Sequence, residues 1–240
     1  VRSVESGGPS VLLLVGMGPR TLAMLDAIPG WRRRFDLVAA YVIDLYPGAL
    51  PRLPKRLVQQ LDVLFVSYQQ MIDRVAEATG RRVVFVPQAV DVWGQGAGGG
   101  ARPIDVIGYG RGDRDVHQQL QSAWNRRDSG RLYVHSTFQF PTVRDWREDR
   151  ALFWQLLRRA KISLAYAYER TNPALYAGVS PLTARWFEAV AAGCVVVGRR
   201  PSGPEVADLF GWPDATIELP EEGAPLLPFF EQLAGAEYLL

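Results

Sequence analysis

The residues between Ser180 and Gly198 are the ones in this chain whose types and spacing best suit chemistry. Ser180 has the side chain of a helix N-cap and Pro181 fits the first helical position, and the amides of a helix start attract an anion. At helical spacing Pro181, Arg185 and Glu188 share one face, while Phe187, Val190 and Ala191 form the apolar face that a core would bury. A diphosphate held near Pro181 and Leu182, with Arg185 beside it, leaves Glu188 about two turns along. There its carboxylate can accept hydrogen bonds from ribose hydroxyls. The plainer alternative is a solvated pair of Arg185 with Glu188 three positions on.

Two glycine turns are further candidates. Gly110-Arg111-Gly112 follows the strand pattern at 104–107, so the backbone can approach a ligand closely and Arg111 can neutralise diphosphate charge. Gly16-Met17-Gly18 follows the apolar residues 11–15. With Asp44 downstream it offers part of a dinucleotide fingerprint whose third glycine is missing, which keeps a nicotinamide-dependent oxidoreductase as an alternative. Asp44 ends a strand pattern and is the general-base candidate for an inverting transfer. His135 also ends a strand pattern and belongs at a cleft rim, whereas His117 falls inside a helical stretch as a surface residue.

These residues need elements to position them, and the pattern supplies two α/β units. Strands are expected at residues 11–15, 37–43, 63–66 and 83–86, with helices at 20–28, 54–61 and 69–78 between them. Residues 93–100 are glycine-dense and read as a flexible link. Beyond it, strands are expected at 104–107, 132–135, 162–166 and 194–197, and helices at 115–124, 150–160, 181–192 and 204–209. The division that follows is a first domain over 1–92, a linker over 93–102 and a second domain over 103–240. Parallel sheets facing across a hinge place their strand ends along one cleft, where such sheets bind ligands.

The run Arg185-x-x-Glu188-Ala189-x-Ala191-Ala192-Gly193, an apolar strand, and then Pro204-Glu205-Val206 together resemble the donor-binding signature of GT-B glycosyltransferases, in particular the spore-maturation-type family. Residues 104–111, Ile-Asp-Val-Ile-Gly-Tyr-Gly-Arg, are similar to the first strand and turn of the same domain. The likeness extends over roughly 104–220 and more loosely over 36–91. It implies a GT-B fold of two Rossmann-like domains facing a cleft, and transfer of a sugar from a nucleoside diphosphate sugar, which is substrate rather than cofactor. The first domain, with Gly16, Gly18 and Asp44, would take the acceptor. The second would bind the donor through Gly110, Arg111, Ser180, Pro181, Leu182, Arg185 and Glu188. Retaining enzymes of the related family 4 carry a second glutamate where this chain has Ser180, so a non-catalytic nucleotide- or glycan-binding module is the alternative.

Composition narrows the partners. Lysine plus arginine number 27 against 25 aspartates and glutamates, leaving no field to gather nucleic acid. Cys194 is the single cysteine, which excludes an intramolecular disulfide and a cysteine zinc site. No metal is expected. Without a stretch of roughly 20 apolar residues or a signal pattern, the expected place is the cytoplasm.

Overall fold

The computed structural model describes residues 8–96, 100–110, 112–136, 144–167 and 172–236 of the 240. Within them the chain is α/β, with one sheet of four strands and one of five, and every strand pairing is parallel. Two compact units result. The first gathers residues 8–88, 172–182 and 202–205, and the second gathers 89–167, 183–201 and 206–236.

In the first unit, β1 (Val11–Gly16), β2 (Leu37–Val42), β3 (Val63–Val66) and β4 (Val83–Phe85) lie side by side in chain order. Every crossover therefore steps the same way, and right-handed crossovers set the connecting segments on one face. That face holds the core, where Val38, Ala40, Val42, Leu64 and Val66 meet Leu22, Leu25, Leu57 and Val75. The unbroken apolar run of β1 predicts a strand buried on both sides. Only Leu12 and Leu14 pack against the core, whereas Val11, Leu13 and Val15 are more than half exposed. The segment after β1 is a 3-10 helix, Pro19–Ala27, in place of the expected α-helix. Its buried residues Pro19, Leu22 and Leu25 recur every three positions, which matches three residues per turn. Lys55–Val58 and Ile72–Thr79 are shorter than the apolar pattern predicts.

The glycine-dense stretch opens as a helical turn, Val92–Gln95, because the Asp91 carboxylate accepts a hydrogen bond from the Gly94 amide at 2.9 Å. Residues 97–99 lie outside those described.

The second sheet is doubly wound. Its strands β5 (Ile104–Tyr109), β6 (Tyr133–Ser136), β7 (Ala160–Tyr166), β8 (Val195–Arg199) and β9 (Ile217–Glu218) stand in the order β6-β5-β7-β8-β9. After β6 the chain returns to the other side of β5, so β5 and β7 flank a topological switch point. Helix Arg114–Trp124 packs on one face and is held by Leu226–Ala234 through Trp124 and Phe230, whose rings meet edge to face at 6.1 Å. At the amino ends of the strands, buried Asp105 accepts from Lys161 at 2.9 Å, Arg131 at 3.4 Å and the Leu132 amide at 2.9 Å. This ties β5, β6 and β7 together at the end away from their carboxyl termini. No helix among the described residues is long and apolar enough to cross a membrane.

Cys194, just before β8, is buried and donates to the carbonyls of Leu157 at 3.2 Å and Ala160 at 3.4 Å. Burial pushes its thiol up to about 12 against a partial opposing pull from Arg102. Almost no thiolate exists near pH 8, so the native protein is expected to resist a chromogenic disulfide reagent that labels the urea-unfolded chain completely. Stoichiometric labelling with the helical dichroism intact would contradict this burial.

Candidate functional site

Strand β5 is buried along its length and ends in the turn where the sequence places glycine and arginine. Gly110 has φ +67, a left-handed conformation that glycine adopts without strain. A Cβ there would also run into the Arg185 guanidinium, so the position serves both the turn and the close passage of that side chain. Arg111 lies outside the described residues. Asp113 then caps helix Arg114–Trp124, accepting from the amides of Asp115 at 2.9 Å and Val116 at 3.1 Å. That carboxylate occupies the helix start, so this terminus is already supplied with negative charge.

Arg185 and Glu188 come together with this turn. They lie on helix Ala184–Ala191, and both are buried, Arg185 to 8% exposure and Glu188 to 7%. The Arg185 guanidinium sits over the Tyr109 ring, 5.4 Å from its centroid. The Tyr109 hydroxyl donates to the Arg185 carbonyl at 3.1 Å and stands 3.4 Å from Glu188 Oε2. Burial, and next the Glu188 charge, hold that phenol well above its ordinary range, so it remains a donor. Glu188 Oε1 accepts from Arg150, a half-exposed side chain of helix Trp146–Leu157 whose guanidinium covers Phe153 at 4.5 Å and Trp154 at 5.2 Å. Arg185, Tyr109, Glu188 and Arg150 thus form one continuous polar chain.

The helix differs from its expected form in two ways. It begins at Ala184 with Thr183 in the N-cap position, not at Pro181 with Ser180 as cap. Ser180, Pro181 and Leu182 belong to the first unit. There the Ser180 amide donates to Gln70 at 2.8 Å, and its hydroxyl and carbonyl accept from Ser202 at 2.9 Å and Gly203 at 3.1 Å. The Leu182 amide donates to Glu205 at 3.4 Å, and Pro181 has no amide hydrogen, so the anion-binding helix start expected at 181–182 is absent. The second difference is burial. The face with Arg185 and Glu188 is the inward one, Val190 is 37% exposed and Phe187 is only partly covered. Helical spacing separates two faces but does not say which one turns inward when partners such as Tyr109 and Arg150 satisfy the charges.

Glu205 is itself buried, and its Oε2 has no hydrogen-bond partner among the described residues. Burial raises its carboxyl above the usual range, only partly offset by the backbone amides of Glu205 and Leu182. The folded state therefore holds this proton more tightly than the unfolded chain, and stability falls as pH rises from the unfolded toward the folded value. Relative to Glu205→Gln, the wild type is expected to lose melting temperature between about pH 4.5 and pH 8. A constant difference across that range would contradict the assignment.

The first-unit candidates are also gathered. Asp44 follows β2, and its amide donates to the Met17 carbonyl at 2.8 Å, which places it beside the Gly16–Gly18 turn. Its carboxylate accepts from the Tyr68 hydroxyl at 2.9 Å. Gly18 leaves open space where a side chain would stand, while a Cβ on Gly16 would press on Thr21. Among the described residues β1 is the edge strand of its sheet, however, so no switch point of the kind a dinucleotide fold provides flanks this turn there.

Both histidines reach the switch point of the second unit. His117 is not a lone surface residue, because its ring lies 4.2 Å from that of His135 and its Nδ1 is 3.0 Å from the Tyr133 hydroxyl. Together with Gly110 and Tyr166 they line a cavity of about 10 Å³ at the carboxyl ends of β5, β6 and β7, room for one water-sized group. Tyr166 is buried, and its hydroxyl has no hydrogen-bond partner among the described residues. Burial, and then the His117 charge, hold His135 below its ordinary value, so it is neutral near pH 7. Among the described residues no group of three or more His, Cys, Asp or Glu stands ready to hold a metal.

The sequence reading missed Tyr109, Arg150 and Tyr166 as site residues. Tyr109 was readable, since it sits inside the Gly108-Tyr109-Gly110 strand end. Arg150 was not, because nothing in the chain links it to a residue 38 positions away.

No protein-family model and no curated protein sequence matches the chain.

Proposed function

We propose that the chain is a metal-independent glycosyltransferase of the GT-B type that moves a sugar from a nucleoside diphosphate sugar to an acceptor, with the donor held by the second unit. The observation that carries this reading is the meeting of Arg185 and Glu188 with the Gly110 turn at the carboxyl end of β5. The strand order reverses beside that turn, and open parallel sheets take their ligands at such points. The resemblance over residues 185–193 and 204–206 supports the same reading.

Transfer requires that the departing diphosphate be stabilised where its charge develops. A buried guanidinium does this electrostatically and without reorganisation. Arg185 has that role, and Tyr109 fixes it from below through the ring and the backbone. Glu188 receives the ribose hydroxyls once Arg150 gives up Oε1. The half-exposed Arg150 can swing into solvent, and the ribose hydroxyls then take its place as donors to the buried carboxylate. The test is incubation with UDP-, GDP-, ADP- and dTDP-sugars, with released nucleoside diphosphate as the readout. Release that depends on Arg185 supports the proposal, and no release from any donor contradicts it.

A second reading, a nucleotide-binding module without turnover, is favoured by one observation. Both oxygens of Glu188 are already engaged, and Ser180, at the place of the family's other glutamate, has its amide, carbonyl and hydroxyl tied into the first unit. Tight nucleotide binding with no release would select it.

A further inference from the structure

On the sheet face away from the core, where Ala39 beside Leu13 is buried, the described residues of the first unit leave an apolar row uncovered. There the β1 side chains Val11, Leu13 and Val15 are 57%, 54% and 55% exposed, and Leu37, beside Val11, is 41% exposed. The row continues inward through the register, since Val15 stands beside Tyr41 and Tyr41 beside Phe65, both only partly covered. None of these residues belongs to the unit's core cluster and none is charged. All-parallel sheets are almost always covered on both faces, so an apolar face of this kind calls for an occupant.

We propose that this face joins two copies of the chain, sheet against sheet about a two-fold axis. A two-fold contact must be complementary to itself, and a face that is apolar and uncharged meets its own copy without like-charge repulsion. A highly charged partner would find nothing there to pair with. The size also fits. Transfer values imply roughly 60–120 Å² for a fully exposed Val or Leu side chain, so this face, with the neighbouring exposed Met17 and Val86, offers on the order of 300 Å² of apolar surface. Apolar atoms make up about 60% of an interface, which sets the whole contact near roughly 500 Å² per copy, or about 1,000 Å² in total, the lower end of the range for a specific contact. Facing sheets stack about 10 Å apart with side chains interdigitated, and a row of Val and Leu fills that layer.

Sedimentation equilibrium of the full chain between about 1 and 100 μM tests this, and a dimer is the expected species. Leu13→Glu places a carboxylate in each half of the contact and should raise the dimer dissociation constant at least about hundredfold. Leu37→Lys should do the same, so the result does not hang on one variant's folding, which circular dichroism checks. Trp93→Ser removes an exposed apolar side chain from the second unit and should leave the dimer unchanged. A wild type that stays monomeric to about 100 μM overturns the proposal and assigns the face to another partner. A dimer that survives in both folded variants overturns it as well.

Discussion

Gly198→Ala is expected to destabilise the second unit by about 3 kcal/mol or more. Gly198 pairs with Ala165 of β7 on one side and Glu218 of β9 on the other. A Cβ there would fall inside the van der Waals envelope of the Ala165 carbonyl, which is backbone and cannot rotate away. The β7–β8 ladder has to open, and β7 carries Tyr166 into the cavity beside β5. At about 2–4 °C per kcal/mol for a chain of this size, the melting temperature should fall by roughly 6–12 °C or more. Gly18→Ala is the control, since a Cβ there meets nothing within 4 Å. A Gly198→Ala protein melting within about 2 °C of wild type would refute the close approach of the two strands.

Arg185→Ala is expected to lower nucleoside diphosphate affinity more than tenfold. Its guanidinium is buried against Tyr109 and the Gly110 turn, where a charge-assisted contact to phosphate gives about 1.5–3 kcal/mol. Arg185→Lys should recover only part of this, because a compact ammonium neither stacks on Tyr109 nor presents a planar fork. The uncharged nucleoside, which lacks the phosphates, should bind both variants as it binds the wild type. Competition against a fluorescent nucleotide reads all three proteins. Equal loss for nucleoside and diphosphate would mean that Arg185 only supports the fold.

The parallel sheets and their order along the chain were legible in residues such as 104–107 and 162–166, where short β-rich runs, apolar apart from Asp105 and Ser163, call for burial. The same signal misled at β1. Val11, Leu13 and Val15 look like core residues, yet strand order decides whether a sheet's second face is covered, and order depends on crossovers that no local pattern records. The turn at Gly110 and the shared helix face of Arg185 and Glu188 were also legible, from glycine placement and helical spacing. The cap at Ser180 was not. Ser180 and Thr183 are both good N-caps by type, and Ser180 was claimed instead by Gln70 and Ser202, residues far away in sequence. His117 and His135 are 18 positions apart and meet only because β5 and β6 pair in register, which carries the helix between them over their ends.

The central claim is that Glu188 faces a nucleotide ribose in the second unit. Calorimetry with UDP, GDP, ADP, dTDP and NADH on the wild type and Glu188→Gln tests it most directly. Glutamine keeps the shape and the place beside Tyr109 but gives up charge-assisted acceptance from the hydroxyls, an interaction of about 1.5–3 kcal/mol, or tenfold and more in affinity. The account predicts that one nucleoside diphosphate binds the wild type in preference to NADH and binds the variant at least about tenfold more weakly. Equal binding to both proteins, preference for NADH, or no binding by the wild type would contradict it.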